Sequence, residues 1–563
     1  VTSPGLLAGT PPAAADGGLR TPPRANRTPG VHVEFSRARQ LMSVRRTDIT
    51  GFVGIARRGP LFTPVRVESW GEFLAVFGGH TPAGHLAYAV QAFFANGGRT
   101  AWMVRVAHEA SAQPARLPLT ADGLGATMTL TAAWADPPER SRPNPGTWAN
   151  GMTATVTRTA NRFDLTLRAP GGGTEVWRDL GFCDPPRRAA DVLNDLVAGS
   201  RLVSASAPDC HEDRLPAPGG PLSFVGGTDG LSDLSVEDVI RGLRELELVD
   251  EIALLAAPDL QSVPVRTAIS APPLRRCDVL DAPEPGSTEP DPAEFPPPLD
   301  VSAGVNELIA QCERTRDRFA ILDPPREASD PAAALEWRGH LASSGYAAAY
   351  FPWVLVPDPL RPSGELVRPV PPSGHVAGVY ARTDLEVGVH KAPANESLNL
   401  AADVAFPVDD VVHGDANQAC LNVIRTYSGR GIRVLGARTL ACRPPWRFVN
   451  VRRLVAMIEE TISEDLAWAV FEPNDARLQA EVDRSVRSFL DGLWRRGMLD
   501  GATGAEAFDV RCDAETNPSD QVDLGRLSCL VALRPPPPAE FVVVRVTLSA
   551  DGLDATASGG SRA

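Results

Sequence analysis

The chain has 563 residues, too long for one hydrophobic core, so two to four domains are expected. It is 43% hydrophobic but only 6% aromatic, which leaves core packing to aliphatic side chains. A formal charge of -14 argues against a general nucleic-acid binder, which needs a basic face to displace counterions. Eight cysteines (183, 210, 277, 312, 420, 442, 512 and 529) form no CxxC pair, and no histidine flanks them at zinc-finger spacing. Free thiols in a reducing interior are expected.

The first 27 residues are rich in Ala, Pro, Gly and Arg without a continuous apolar stretch, and read as a disordered arm with no signal peptide. No run approaches the roughly 20 apolar residues of a membrane helix. Patterning begins at "TPGVHVEF", where Val31, Val33 and Phe35 alternate with polar residues as in a strand. "DITGFVGIARRGP" reads as an apolar strand. "PAGHLAYAVQAFFANGG" reads as a helix stopped by Gly97 and Gly98, and "TAWMVRV" as a strand. From about 110 to 220, "ATMTLTAAW", "GMTATVTRT" and "RFDLTLRA" alternate at period two, the pattern of a small antiparallel β-domain. "SVEDVIRGLREL" follows as a helix with Ser235 as N-cap, and "EIALLAAPD" as a strand buried on both faces. Residues 271–300 have the composition of a Pro-rich loop. "RFAILDPP" and "AAAYFPWVLV" resume as strands. Near 415 a last region starts, with strands at Cys420–Arg425 and Ile432–Leu435. Two helices carry stripes at Val451, Leu454, Val455, Ile458 and Ile462, and at Leu478, Val482, Val486, Phe489, Leu490 and Leu493. The run "EFVVVRVTL" closes the pattern before a polar tail.

"GRGIRVLGARTL" has the glycine gap of a phosphate loop, but Ala437 and Arg438 stand where Lys and Ser/Thr are needed, so the glycines read as a turn between strands. The nine histidines form no cluster, and neither a G-x-S-x-G nor an H-E-x-x-H motif occurs. His413, Ser343, Ser344 and His375 are candidates by residue type alone. Arg452 and Arg453 read either as a basic patch for an acidic neighbouring copy or as partners in a salt bridge within the chain.

The strings already quoted, with "PVRVESWGEFLAVFGG", "NPGTWANGM", "FVGGTDG", "PPSGHVAGVYARTDLEVGVHKAPANE", "WRFVNVRRLVAMIEETI" and "AWAVFEPND", resemble in order and spacing the sheath proteins of contractile phage tails and contractile injection systems. The resemblance implies an α/β multidomain fold. It comprises a subtilisin-like α/β domain without a protease triad, an inserted β-sandwich-type domain, and a C-terminal α/β domain with extended terminal strand arms. Mapped here, these are a disordered arm at 1–27, an N-terminal segment at 28–107, the inserted domain at 108–220, the subtilisin-like domain at 221–414, the C-terminal domain at 415–550 and a disordered tail at 551–563.

The resemblance also implies a non-enzymatic subunit without cofactor, metal or nucleotide. Copies stack as hexameric rings around an inner tube and contract to drive it through a target envelope; baseplate and cap proteins are further partners. Such a subunit would be made in a bacterial cytoplasm and assembled into a tail or a released particle. The arm strands, Val31, Val33 and Phe35 at one end and Phe541, Val542, Val543, Val544 and Val546 at the other, would pair with neighbouring copies; without the resemblance, pairing within the subunit is the commoner outcome. Asp500, Gly501, Glu506 and Phe508 are the expected tube-attachment stretch.

Overall fold

Apolar runs separated by amphipathic helices assemble into a nine-stranded sheet in the computed structural model, which describes residues 42–121, 126–133, 143–159, 161–170, 173–195, 198–206, 215–261, 295–360, 367–540, 543–549 and 552–558. In spatial order the strands are Glu396–Ser397, Gly431–Val434, Leu421–Tyr427, Ala347–Phe351, Phe319–Leu322, Leu254–Ala256, Thr50–Gly54, Ala101–Arg105 and Val65–Val67. The six from Leu421–Tyr427 to Ala101–Arg105 are parallel, and the flanking pairs are antiparallel.

Alternate residues of each strand feed two cores, as a parallel sheet covered on both faces requires. Phe52, Leu254, Ile321 and Tyr350 face helices Leu86–Ala95 and Ser373–Glu386. Val53, Leu255, Leu322 and Phe351 face helices Val236–Glu247 and Val301–Thr315. Ser235 caps the third of these as expected, in a reciprocal box with Asp238. The first two helices touch backbone to backbone. A Cβ at Gly374 would lie 2.4 Å from Ala89 Cα, and one at Gly378 would lie 2.6 Å from Phe93 O.

Between the third and fourth strands in sequence, two antiparallel sheets enclose a separate core around Leu117, Leu130, Phe163, Leu165 and Phe224. One has strands Arg116–Thr120, Ala126–Ala132 and Val203–Ser206. The other has Gly219–Ser223, Thr153–Thr159, Arg162–Arg168 and Thr174–Leu180. A fourth core, built on helices Val449–Asp465 and Ala476–Arg495, collects Leu454, Ile458, Val482, Val486, Leu490 and Leu493.

Several expectations are corrected. The 28–107 and 221–414 segments share one sheet, because parallel pairing joins strands distant in sequence. Strands Leu421–Tyr427 and Gly431–Val434 also belong to that sheet, so the C-terminal domain begins after them rather than at 415. Strand Gly219–Ser223 carries the inserted domain past 220. The tail expected to be disordered at 551–563 contains strand Gly552–Ser558, paired in register with Val543–Ser549. Not all cysteines are free thiols. Cys420 and Cys442 form a disulfide with Cα atoms 5.7 Å apart, because the hairpin at 421–434 returns the chain beside its own start. Cys183 is disulfide-bonded as well. The disordered arm expected at 1–27 and most of the Pro-rich loop, residues 271–294, lie outside the described residues.

Two buried carboxylates seat helices on the sheet. Asp259, just past strand Leu254–Ala256, accepts hydrogen bonds from Ile55 N (2.7 Å) and Leu86 N (3.2 Å) at the start of helix Leu86–Ala95. Asp323, just past Phe319–Leu322, accepts from Ser373 N at 2.8 Å at the start of the next helix on that face. Helix N-termini favour such acceptors, but burial without a cation pushes the Asp323 carboxyl up to about 7.

Because its folded pKa lies above the unfolded value, Asp323 binds its proton more tightly in the folded protein. Its stabilising contribution is therefore complete below about pH 4 and lost as pH rises through about 7. His375, lowered by burial to about 4, opposes this between about pH 4 and 6.5, so comparing two proteins isolates the carboxyl. Asp323→Asn keeps an acceptor for Ser373 N. Thermal melts should show wild type losing about 2.7 kcal/mol more than the variant between about pH 5 and 8; parallel pH profiles would place the titration elsewhere.

Candidate intersubunit interface

Among the described residues the C-terminal core carries a sheet of two strands, Phe508–Arg511 and Leu530–Leu533, paired antiparallel from Phe508↔Leu533 to Arg511↔Leu530. Phe508 and Val510 are buried, and Val531 and Leu533 pack partly on the same core. Leu530 is 61% exposed. Arg534 N bonds Ala507 O (2.9 Å), which sets the alternation of the ladder. By that alternation Ala532 and Leu530 turn their backbone groups toward the partner strand, while Val531 and Leu533 turn theirs outward. On the opposite edge, Val510 O is bonded by the Arg487 side chain from helix Ala476–Arg495. No further strand covers the Val531–Leu533 edge among the described residues. A two-stranded sheet is marginal alone, and an open edge is a template for another strand.

Both chain ends leave from this same domain. At the N-terminal side, Met42 and Val44 pack on its core and Ser43 N bonds Asp465 Oδ2 at 3.0 Å. Arg45 N bonds Thr461 Oγ1 (3.2 Å), and its side chain pairs with Glu460 (3.2 Å) and Glu464 (3.4 Å). Val31, Val33 and Phe35 lie outside the described residues. At the C-terminal side, the polyproline segment is tied down before the arm begins. Asn450 Nδ2 donates to Pro536 O (3.1 Å), and Arg438 grips Glu540 with two nitrogens at 2.8 and 2.5 Å. Val543, Val544 and Val546 lie in strand Val543–Ser549, which pairs with Gly552–Ser558; Phe541 and Val542 lie outside the described residues. These anchors escaped sequence reading, because an ion pair across 102 residues leaves no local pattern.

The expected tube-attachment residues separate into different roles. Gly504–Ala507 is a single turn of helix that buries Ala507 and exposes Ala505 and Glu506, with Glu506 Oε2 accepting from Ala502 N at 3.1 Å. Asp500 pairs with Arg534 at 3.0 Å, and Gly501 O accepts from Trp494 Nε1 at 3.0 Å. Phe508 is buried in the core and unavailable to a partner, because its strand turns it toward helix Ala476–Arg495.

Arg452 and Arg453 are not a surface patch, since both are buried on the packed face of their helix. Arg453 grips Asp384 (2.6 and 3.1 Å) and Thr47 O (2.7 Å), and lies over the Tyr380 ring. Arg452 pairs with Glu459 at 2.6 Å between the rings of Tyr346 and Trp446. The glycine-rich stretch is a hairpin turn, with Gly429 and Gly431 at φ 75° and 73° and Tyr427 paired to Gly431. His375 turns Nε2 to Leu400 O, His413 to Leu435 O, and Ser344 Oγ accepts from Tyr346 N. Among the described residues no group of three or more His, Cys, Asp or Glu could hold a metal, and no helix is long and apolar enough to cross a membrane.

Residues 299–440 match the profile of the phage tail sheath protein central domain, and 443–549 that of the phage tail sheath C-terminal domain. A prophage major tail sheath protein of Pseudomonas aeruginosa is 25% identical over 189 residues, covering 32% of this chain and 47% of that protein. A tail sheath protein of Salmonella phage ViI is 25% identical over 253 residues, 40% of this chain and 38% of that protein. The matched region thus spans less than half the length of these curated relatives. Among solved structures, the contracted PVC sheath complex of an extracellular contractile injection system has a TM-score of 0.53 at 21% identity, over 93% of this chain and 98% of that one. A sheath tail protein of Desulfitobacterium hafniense has 0.54 at 14% identity, over 86% and 93%. The mixed α/β multidomain fold is that of these sheath structures. Residues 299–549 thus carry, in consecutive order, the central and C-terminal domains of phage tail sheath proteins.

Proposed function

We propose that the protein is a structural subunit that polymerises as helically stacked hexameric rings around an inner tube and contracts to drive that tube through a target envelope. The observation that carries this reading is the open edge at Val531 and Leu533 on the domain from which both chain ends depart. A strand supplied by another copy would satisfy those backbone groups, and a subunit that both donates and accepts strands builds an open, head-to-tail lattice. Solved neighbours include sheath assemblies and baseplates of the anti-feeding prophage, which supports partnership with other copies and with a baseplate.

In this reading the inner tube meets the exposed turn at 502–506, a cap protein closes the far end, and the subunit is made in a bacterial cytoplasm before joining a phage tail or released particle. The central domain is a subtilisin-like scaffold without catalysis, its Ser373 fully buried with its N–H committed to Asp323. Contraction needs no nucleotide: a small packing gain per copy is summed over a cooperative lattice.

Deleting residues 1–41 and 541–563 together should leave a folded monomer that forms no cylinders by negative-stain microscopy; cylinders of normal width and length would overturn the reading. Val531→Pro removes an outward N–H, whereas Ala532→Pro removes one that bonds within the sheet. Val531→Pro also loses some packing on the core, so it should lower the melting temperature less than Ala532→Pro does, yet raise the concentration needed for polymerisation at least about tenfold, the equivalent of roughly 1.4 kcal/mol. Ala532→Pro should lower the melting temperature itself. Glu506→Lys, a surface change expected to cost under about 0.5 kcal/mol, should reduce co-sedimentation with the inner tube; unchanged decoration would move the attachment site.

A further inference from the structure

The two strands of the open sheet end in a pair of thiols. Register Arg511↔Leu530 makes Cys512 and Cys529 the next facing residues, near enough for each thiol to shift the other's titration. By the ladder's alternation this rung is a non-hydrogen-bonded one, where facing Cα atoms approach to about 4.5 Å, inside the disulfide range. Both thiols are free.

The neck of the 513–528 loop is held shut just beyond them. Asn517, itself 4% exposed, donates to Asp513 O (3.1 Å) and Ser528 O (2.9 Å) and accepts from Ser528 N (2.6 Å). Both sulfurs are therefore held in place without a covalent bond. An open cleft lined by Asp483, Arg487, Val510, Arg511, Cys512 and Asp513 reaches Cys512 from solvent, and Cys529 is half-buried.

The geometry points to Cys512 and Cys529 as a dithiol that closes to a disulfide, locking the sheet proposed above to receive a neighbour's strand. The oxidant is a small-molecule disulfide of the glutathione class. One thiolate attacks a sulfur of the reagent, forming a mixed disulfide and expelling one thiolate. The second cysteine then attacks the protein sulfur of that intermediate and expels the other. Two protein thiols are oxidised, one reagent disulfide is reduced to two thiols, and the two protons lost by the cysteines end on the two expelled thiolates. Burial, each thiol's neighbour and Asp483 push Cys529 up to about 12, so attack at neutral pH is slow; Arg487 acts the other way. The closed bond would join strands 17 positions apart, restricting the unfolded chain and so favouring the formed sheet.

The acceptor role rests on the proposed function; the cross-link does not. The test uses the full chain, reduced with dithiothreitol, moved into oxidised glutathione, alkylated under denaturing conditions and digested without reductant. Mass spectrometry should find Cys512 joined to Cys529, and the pair should separate again on reduction. Separate alkylation of both cysteines, or stable glutathione adducts on both, would overturn the assignment. Cys529→Ser should leave Cys512 as a thiol or glutathione adduct with no internal link, and Cys512→Ser serves if that variant does not fold. Because the link is mapped on single chains, its absence leaves the sheath reading standing. Failure of the arm-deletion experiment likewise leaves the link intact.

Discussion

Backbone N–H and C=O groups tolerate water or a partner but not a dry, unpaired state. Val531 and Leu533 hold theirs outward at the edge of a sheet that has two strands among the described residues. In the isolated chain water satisfies them. In a packed assembly only another strand does so at comparable geometry, which makes the edge a demand placed on neighbours. Natural proteins usually blunt such edges with charge, proline or a covering element. Here the far edge is covered by Arg487, while the near edge exposes Leu530 beside it.

Force applied at that edge has a stiff path into the molecule. The chain leaving Leu533 is held by Asn450 and Arg438, and the chain entering at Ser43 by Asp465 and Arg45's partners. Helix Val449–Asp465 is itself locked to helix Ser373–Glu386 on the central sheet through the Arg453–Asp384 pair, whose side chains are only 4% and 3% exposed. Removing one partner of such a pair typically costs about 3–5 kcal/mol, because the other charge is left buried. The contact is thus a rigid tie between two cores rather than a surface ornament. Gly374 and Gly378 extend the stiffness inward by letting two helices meet at their backbones.

Strongly periodic elements were legible in the sequence. Helix Leu86–Ala95, the Ser235-capped helix and both C-terminal stripes follow from spacing and caps, and the doubly buried strand at Leu254–Ala256 from its unbroken apolar run. Boundaries between domains were less so. Strands Leu421–Tyr427 and Gly431–Val434 look local, yet they complete a sheet whose other members begin near residue 50, and no short window carries that information. Arg452 and Arg453 illustrate the same limit, since a paired arginine motif reads alike whether it faces solvent or a buried aspartate. The Cys420–Cys442 bond was hidden because the hairpin that brings its sulfurs together is itself a tertiary fact. Val543, Val544 and Val546 were legible as strand, and that strand pairs with Gly552–Ser558 of the same chain.

The central claim concerns hydrogen bonds made by two specific amides, so exchange at those amides tests it most directly. Hydrogen–deuterium exchange of Val531 and Leu533 should be fast in the dispersed subunit and slow by at least about a hundredfold once cylinders form, equivalent to about 2.7 kcal/mol of added protection. Exchange that stays equally fast in assembled cylinders would mean the edge receives no strand, and the account would be wrong.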